Sequence, residues 1–321
     1  MEKGAIKGRF APTPSGRMHL GNLLCALLAW LSARAEGGRV VLRIEDLDAM
    51  RSPRSYADLL EDDLRWLGLF WDEGGSSGGP DGPYYQSERT ALYQAALARL
   101  EEQGLVYPCF CSRAQLHAAQ APHLSDGRVL YPGTCRDLTA QEVAQRRRQR
   151  PPALRLRVPD ETVSFVDRHL GPYSENLQQE CGDFLIRRSD GVFAYQLAVV
   201  VDDAAMGVTQ VVRGADLLSS TPRQLYLYRL LGLPSPTFAH IPLLTAPDGR
   251  RLSKRDGDLD LGAIRRRLPG PEPLLGLLGW LCGLLERAEP VRAQDLVPLF
   301  SWDKIPQGDL SLPAALWELL E

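Results

Sequence analysis

The 321-residue sequence lacks a Gly-x-x-x-x-Gly-Lys-Ser/Thr string, which disfavours a P-loop kinase. It lacks an apolar run long enough to cross a bilayer, since the stretch Leu274–Leu285 is too short, and its N-terminus carries no signal-like segment. A cytoplasmic chain with no membrane partner is therefore expected. Charge of one sign is missing too. The 37 Lys and Arg against 40 Asp and Glu leave a formal −3, which argues against a strongly basic nucleic-acid binder but permits a local excess. No internal repeat is present. Cysteine is sparse, and in a reducing compartment the six thiols should stay reduced unless they bind metal. What the chain does have is apolar substance: 44% hydrophobic residues support real cores, and the length allows one large or two modest domains.

The pattern along the chain predicts a strand at Ile6–Ala11, a helix over 22–35 and a strand at Arg39–Ile44. Ser52-Pro53 reads as the N-cap and first turn of a helix running to about Gly68. Gly74–Gly82, with five glycines among nine residues, reads as a flexible surface loop, and the helix Ser87–Gln103 should stop at Gly104. This alternation argues for an α/β fold with a parallel, doubly wound sheet and ligands at the carboxyl ends of its strands. From Cys109 to about Cys181 the rhythm changes to proline-rich turns and basic alternating strands, as in an inserted module. A hairpin Phe184–Tyr195, a helix through Val200, a strand Thr209–Arg213, a helix Thr221–Leu231 and a strand Ile241–Leu244 follow. Short helices are expected at Leu274–Glu286, Gln294–Phe300 and Ala314–Leu320.

Two short strings carry the chemistry. His19-Leu20-Gly21-Asn22 stands where a strand-like run meets an apolar helical stretch. A helix start offers unpaired N–H groups and a positive dipole end to phosphate. Gly21 would let a nucleotide approach the backbone, and His19 can donate a hydrogen bond to a phosphate oxygen. Leu252-Ser253-Lys254 follows the turn Pro247-Asp248-Gly249, and an ammonium there could neutralise charge growing on departing pyrophosphate. Each string alone also fits an ordinary helix start and a solvated basic loop.

Arg9-Phe10-Ala11-Pro12-Thr13-Pro14-Ser15-Gly16-Arg17-Met18-His19-Leu20-Gly21-Asn22 resembles the first signature of the glutamyl branch of class I aminoacyl-tRNA synthetases, and Arg251-Leu252-Ser253-Lys254-Arg255 is similar to the second. Leu42–Asp48, Val199–Asp203 and Val211–Leu217 fall, in order, where that branch has closely similar strings. The resemblance implies a class I synthetase-type Rossmann fold in two halves, 1–108 and 182–258, around an inserted zinc-binding α+β module at 109–181. A short helical region at 259–321 would take the place of an anticodon-binding domain. Among family members the chain looks like the short ones that attach glutamate to the queuosine base of tRNA(Asp). The implied partners are ATP with Mg²⁺, L-glutamate and that tRNA, and a monomer is expected. Alternatives are a truncated enzyme charging a tRNA terminus, and a non-catalytic amino-acid sensor or tRNA-binding regulator.

A glutamate site must hold an ammonium and a side-chain carboxylate while leaving the α-carboxylate open to ATP. An arginine fork suits the carboxylate, with Arg9 and Arg213 as candidates, and Glu45 suits the ammonium. By resemblance the contacts are Arg9, Ala11, Thr13, Glu45, Tyr195 and Arg213, with Phe10 and Pro12 in the same string; His19, Gly21, Asn22 and Lys254 would serve ATP, His19 and Lys254 catalytically. An ion pair of Glu45 with Arg43 or Arg51 is the plainer reading of that carboxylate. The run Arg146-Arg147-Arg148-Gln149-Arg150 reads either as the solvated end of a helix capped by Thr139 and Glu142 or as a tRNA contact. Cys109-Phe110-Cys111 with Cys135 offers three thiols to a tetrahedral Zn²⁺. Spacing leaves the fourth ligand open among His117, His123 and Tyr131; the resemblance implies Tyr131 and a structural zinc. Cys25, Cys181 and Cys282 read as core residues.

Overall fold

The computed structural model describes residues 5–48, 50, 52–112, 115, 130–250, 252 and 260–314. Its centre is a five-stranded parallel sheet of β1 (Lys7–Phe10), β2 (Arg39–Leu42), β3 (Glu73–Gly74), β9 (Gln210–Gly214) and β10 (Thr237–Ile241), in the order β10-β9-β1-β2-β3. Successive side chains of a strand face opposite ways. Val40 and Leu42, Val212, and Ala239 and Ile241 accordingly join one buried cluster, while Val41, Val211 and Phe238 join another. The sheet is thus covered on both faces, as a parallel sheet requires.

The helix α1 (Leu20–Ala35) fills the first cluster and is buried on most sides. It lies so close to β1 that a Cβ on Gly8 would stand 3.0 Å from the Ala33 Cβ. α2 (Arg54–Trp66) packs on the same side through Leu60 and Leu64, and α3 (Thr90–Glu102) on the other through Tyr93, Leu97 and Leu100. A smaller antiparallel sheet joins β4 (Val106–Cys109), β5 (Ala153–Leu156) and β8 (Phe184–Arg187), and carries the short helix α4 (Ala140–Arg147) in its connection. The hairpin β6 (Thr162–Asp167) and β7 (Gly171–Asn176) follows β5 in the chain. After β8 come α5 (Tyr195–Ala205) and, following β9, α6 (Thr221–Leu230). Past β10, the two-residue strands β11 (Leu244–Thr245) and β12 (Leu310–Ser311) pair across α7 (Leu261–Arg267), α8 (Glu272–Leu281) and α9 (Ala293–Leu296). No described helix is long and apolar enough to cross a membrane.

Several expectations are corrected. Gly74–Gly82 is not simply a surface loop: Glu73-Gly74 forms the fifth strand, and a Cβ on Gly74 would stand 2.0 Å from the Leu42 carbonyl oxygen, so glycine serves close approach there. The first helix begins at Leu20, because His19 itself caps it. Ser52 does not cap α2; Pro53 holds the N-cap position and the buried Ser52 hydroxyl has no partner among the described residues. Ser87 lies outside α3 and instead hydrogen-bonds Asp46 through its N–H and hydroxyl. Tyr195 starts α5 rather than ending a strand, and the late strand is Thr237–Ile241 rather than Ile241–Leu244. The C-terminal helices are shorter than read, α8 ending at Leu281 and α9 passing at Val297 into a 3-10 turn. Of the proposed Ala314–Leu320 helix, only Ala314 lies within the described residues. The capping box of Thr139 and Glu142 is present at α4.

Candidate active site and metal centre

The strand order reverses between β1 and β9, and a cavity of about 550 Å³ opens there at the carboxyl ends of β1, β9 and β10. Open parallel sheets bind ligands at such switch points. Arg9, Phe10, Ala11, Pro12, Thr13, His19, Gly21, Asn22, Glu45, Tyr195 and Arg213 all line it. The candidates from both halves of the sequence therefore meet in one place. Ser253 and Lys254 lie outside the described residues, but Leu252 lines the cavity and Asp260 forms a bridge to His19.

His19 caps α1 by accepting a hydrogen bond from Gly21 N–H at Nδ1, 3.1 Å away. In the neutral ring the proton then sits on Nε2, so that nitrogen is the donor. Beneath the cavity lies a buried ion network. The Arg43 Nη1 donates to Asp203 at 2.6 Å and its Nη2 to Glu45 at 3.3 Å, and Arg9 Nε stands 3.6 Å from Asp203. Asp202 accepts from Arg89, Tyr93 and Gln86 at 2.5–2.8 Å. Glu45 is thus ion-paired with Arg43, yet buried and at the cavity wall rather than on the surface; Arg51 lies outside the described residues. Burial pushes the Glu45 carboxyl above its ordinary value, with Arg43 and Arg9 pulling it back in part.

Arg213 differs from these arginines. Its acceptors among the described residues are all neutral: His240, Tyr195, Gln224, Leu217 and Thr221. A buried guanidinium matched only by neutral groups is suited to a ligand carboxylate. Sequence reasoning named Arg43 only as a possible surface partner of Glu45, and gave no role to Asp202, Asp203, Arg89 or His240. The signal for the first three was visible, since an arginine inside the apolar strand run and two carboxylates at the end of a Val-rich helix need buried partners. Arg89 and His240 carry no such local mark. Cys25, read as core, also lines the cavity, and burial raises its thiol to about 11, followed by a lowering influence from Arg9.

The second cluster lies at the end of β4. The Sγ atoms of Cys109, Cys111 and Cys135 lie within 4.8 Å of one another. The Tyr131 hydroxyl stands 3.5 Å from Cys109 Sγ and accepts the Cys135 N–H at 2.8 Å. Arg155 donates to Cys109 Sγ at 3.3 Å and covers the Tyr131 ring at 3.7 Å. Burial opposes ionisation of Cys109, but the Tyr131 hydrogen bond and the Arg155 charge outweigh it and hold the thiol below its ordinary value. Cys111 is raised to about 12 by burial and by the adjacent Cys109. Ionising one thiol thus opposes ionising its neighbour unless a cation joins them. Three thiols at this separation suit zinc. His117 and His123 lie outside the described residues.

A family model described as tRNA synthetases class I (E and Q), catalytic domain, matches residues 5–282. The chain is 55% identical over 310 residues to the glutamyl-Q tRNA(Asp) synthetase of Symbiobacterium thermophilum, covering 96% of each. It is 49% identical over 318 residues to the protein of that name from Nitratidesulfovibrio vulgaris, covering 98% of each. Among solved structures, the glutamate-tRNA synthetase of Elizabethkingia anophelis superposes with a TM-score of 0.84 at 28% identity, over 98% of this chain and 70% of that one.

Proposed function

Because the chain belongs to the class I tRNA synthetases of the glutamate and glutamine type, we propose that it activates L-glutamate with ATP and transfers it to the queuosine base of tRNA(Asp). The observation that carries the reading is the cavity in which an arginine with no carboxylate partner among the described residues, a buried glutamate and a helix start converge. Arg213 and Arg9 hold the side-chain carboxylate, Glu45 receives the ammonium, Tyr195 and Thr13 offer hydroxyls, and Phe10, Ala11 and Pro12 shape the floor. An oxygen of the α-carboxylate attacks the α-phosphorus of ATP, and pyrophosphate leaves. A hydroxyl of the queuosine cyclopentene ring then attacks the adenylate carbonyl, and AMP leaves. The chain supplies no nucleophile; it positions reactants and neutralises charge. His19 and Lys254 bind phosphate, and the backbone at Gly21 and Asn22 borders the nucleotide. Mg²⁺ accompanies ATP, held mainly by phosphates and water. Cys109, Cys111, Cys135 and Tyr131 would hold one structural zinc per chain, closing its four-ligand shell. A cytoplasmic monomer accords with this reading.

ATP–pyrophosphate exchange tests the first step: glutamate alone among the amino acids should support it, without tRNA. Equal exchange with glutamine would remove the arginine–carboxylate assignment, since a neutral amide cannot match the guanidinium fork as a carboxylate does. Transfer assays with queuosine-bearing and unmodified tRNA(Asp) test the second. Glutamate on the tRNA terminus of both would select the truncated-enzyme reading.

A further inference from the structure

In the parallel pair β9–β10, Arg213 and His240 are register partners, so their side chains stand side by side on one face. The Arg213 Nε donates to His240 Nε2 at 3.0 Å. A guanidinium can only donate, so that imidazole nitrogen carries no hydrogen, and the ring proton belongs on Nδ1. There it is donated to Asp167 Oδ2 at 2.6 Å. Asp167 closes β6, and its other oxygen accepts the backbone N–H groups of His169, Leu170 and His240. All three side chains are buried.

We infer that Asp167 and His240 are positioning residues for glutamate recognition, fixing Arg213 by one edge so that its two terminal nitrogens face the cavity. The inference rests on the activation reading above. Three contacts of Arg213 are short: His240 on Nε, Gln224 on Nη1 at 2.8 Å and Thr221 on Nη2 at 2.8 Å. Two are long and go to cavity-lining residues: Tyr195 on Nη1 at 3.4 Å and the Leu217 carbonyl on Nη2 at 3.3 Å. One N–H on each terminal nitrogen is thus weakly held, the pair that a carboxylate would take bidentately. A carboxylate in place of the imidazole would pair with Arg213 directly and cancel its charge. The interposed imidazole instead passes on the carboxylate's orientation without its charge. Burial, the largest influence, lowers the His240 pKa; Asp167 opposes this and Arg213 adds to it, so the ring stays neutral.

Asp167→Asn tests the relay. The backbone donors keep an oxygen at the Oδ1 position, so the amide nitrogen faces His240 Nδ1 and donates to it. The ring proton must then move to Nε2, opposite the Arg213 N–H. The KM for glutamate should rise by about 10-fold or more, in the range for losing a hydrogen bond to a charged group. The KM for ATP should hold, and imidazole nitrogen NMR should report the exchanged tautomer. A flipped tautomer with unchanged glutamate KM would overturn the inference, as would a parallel rise in both KM values, which marks general loosening. If that variant does not fold, His240→Gln, which keeps an acceptor near Nε2, should bind glutamate on the order of 10-fold better than His240→Leu; equal affinities would overturn the inference. No glutamate-dependent exchange by the unaltered protein would sink the activation reading instead. The NMR measurement would then still decide, since a proton on Nε2 is incompatible with the relay.

Discussion

Around the cavity, Arg9, Arg43 and Arg89 are buried with Glu45, Asp202 and Asp203, three cations against three anions, and the pairs close to 3.6 Å or less. At the end of β4, the thiols of Cys109, Cys111 and Cys135 stand within 4.8 Å of one another; Arg155 donates to Cys109 at 3.3 Å and lowers its pKa, while burial and Cys109 raise that of Cys111. The packing differs in the same sense. The sheet has a large apolar cluster on each face, whereas the cysteine region's buried cluster is Tyr107, Cys109, Phe110, Tyr131 and Cys135, three of which are candidate ligands. A framework that balances its own charge can be assembled before substrate arrives. A region whose core is largely a candidate ligand set should depend on metal for its fold.

The largest effect should come from breaking the balance. In Arg43→Met, Glu45 and Asp203 lose a buried partner and Asp202 loses a nearby charge. Unpairing buried charge costs about 3–5 kcal/mol. Urea denaturation should show a loss of that size and glutamate-dependent exchange should vanish, while the zinc content of the folded fraction should match that of the unaltered protein. A stability change under about 1 kcal/mol would mean that the carboxylates re-pair with Arg9 and Arg89, a surface-like outcome.

Cys135→Ser makes the opposite cut. Zinc content should fall toward zero, and hydrogen exchange should quicken around Val106–Cys109 and Tyr131–Arg136, since structural metal binding is folding free energy. ATP–pyrophosphate exchange should stay near the unaltered level and transfer to tRNA should drop. Exchange lost in step with zinc would show that the two regions are one cooperative unit.

The same contrast governs what could be read from the sequence. The cavity was legible in two ways: a strand end, a glycine and a helix start mark His19 and Gly21 locally, while Ala11, Thr13 and Tyr195 came from the resemblance to the synthetase family. The three thiols were legible because Cys-x-Cys keeps two ligands adjacent. What escaped was the long-range matching. Asp167 and His240 are 73 positions apart, and Arg89 and Asp202 are 113 apart, so no periodicity links them. Glycine-rich Gly74–Gly82 misled for a related reason. Glycine marks close backbone approach as well as loose chain, and only the neighbouring Leu42 carbonyl distinguishes the two.

Acidification should sharpen the cavity side of the comparison. Glu45 must be ionised to receive an ammonium, and burial raises its carboxyl above 4.5 despite Arg43 and Arg9. As pH falls through that raised value the carboxylate is lost, so glutamate affinity should decline about tenfold per pH unit. The decline should begin at higher pH than titration of the substrate's own side-chain carboxyl, at about 4.3. Glu45→Gln should bind glutamate weakly and lack this limb. A limb of the same midpoint in both proteins would assign it to the substrate.

Tyr131→Phe should give the smallest effect, and it isolates the fourth ligand. The ring stays under Arg155, which covers it at 3.7 Å, so the packing of the region survives. What goes is the oxygen that stands 3.5 Å from Cys109 Sγ and accepts the Cys135 N–H. Three thiols remain, and water can complete the tetrahedron, so zinc should be retained but more weakly, by roughly 10- to 100-fold in chelator competition, the range seen when one supporting contact of a metal site is removed. Glutamate-dependent exchange should not change, because no cavity residue is touched. Unchanged zinc affinity would remove Tyr131 from the ligand set. His117→Ala and His123→Ala would then identify the fourth ligand, and the three-thiol site would stand.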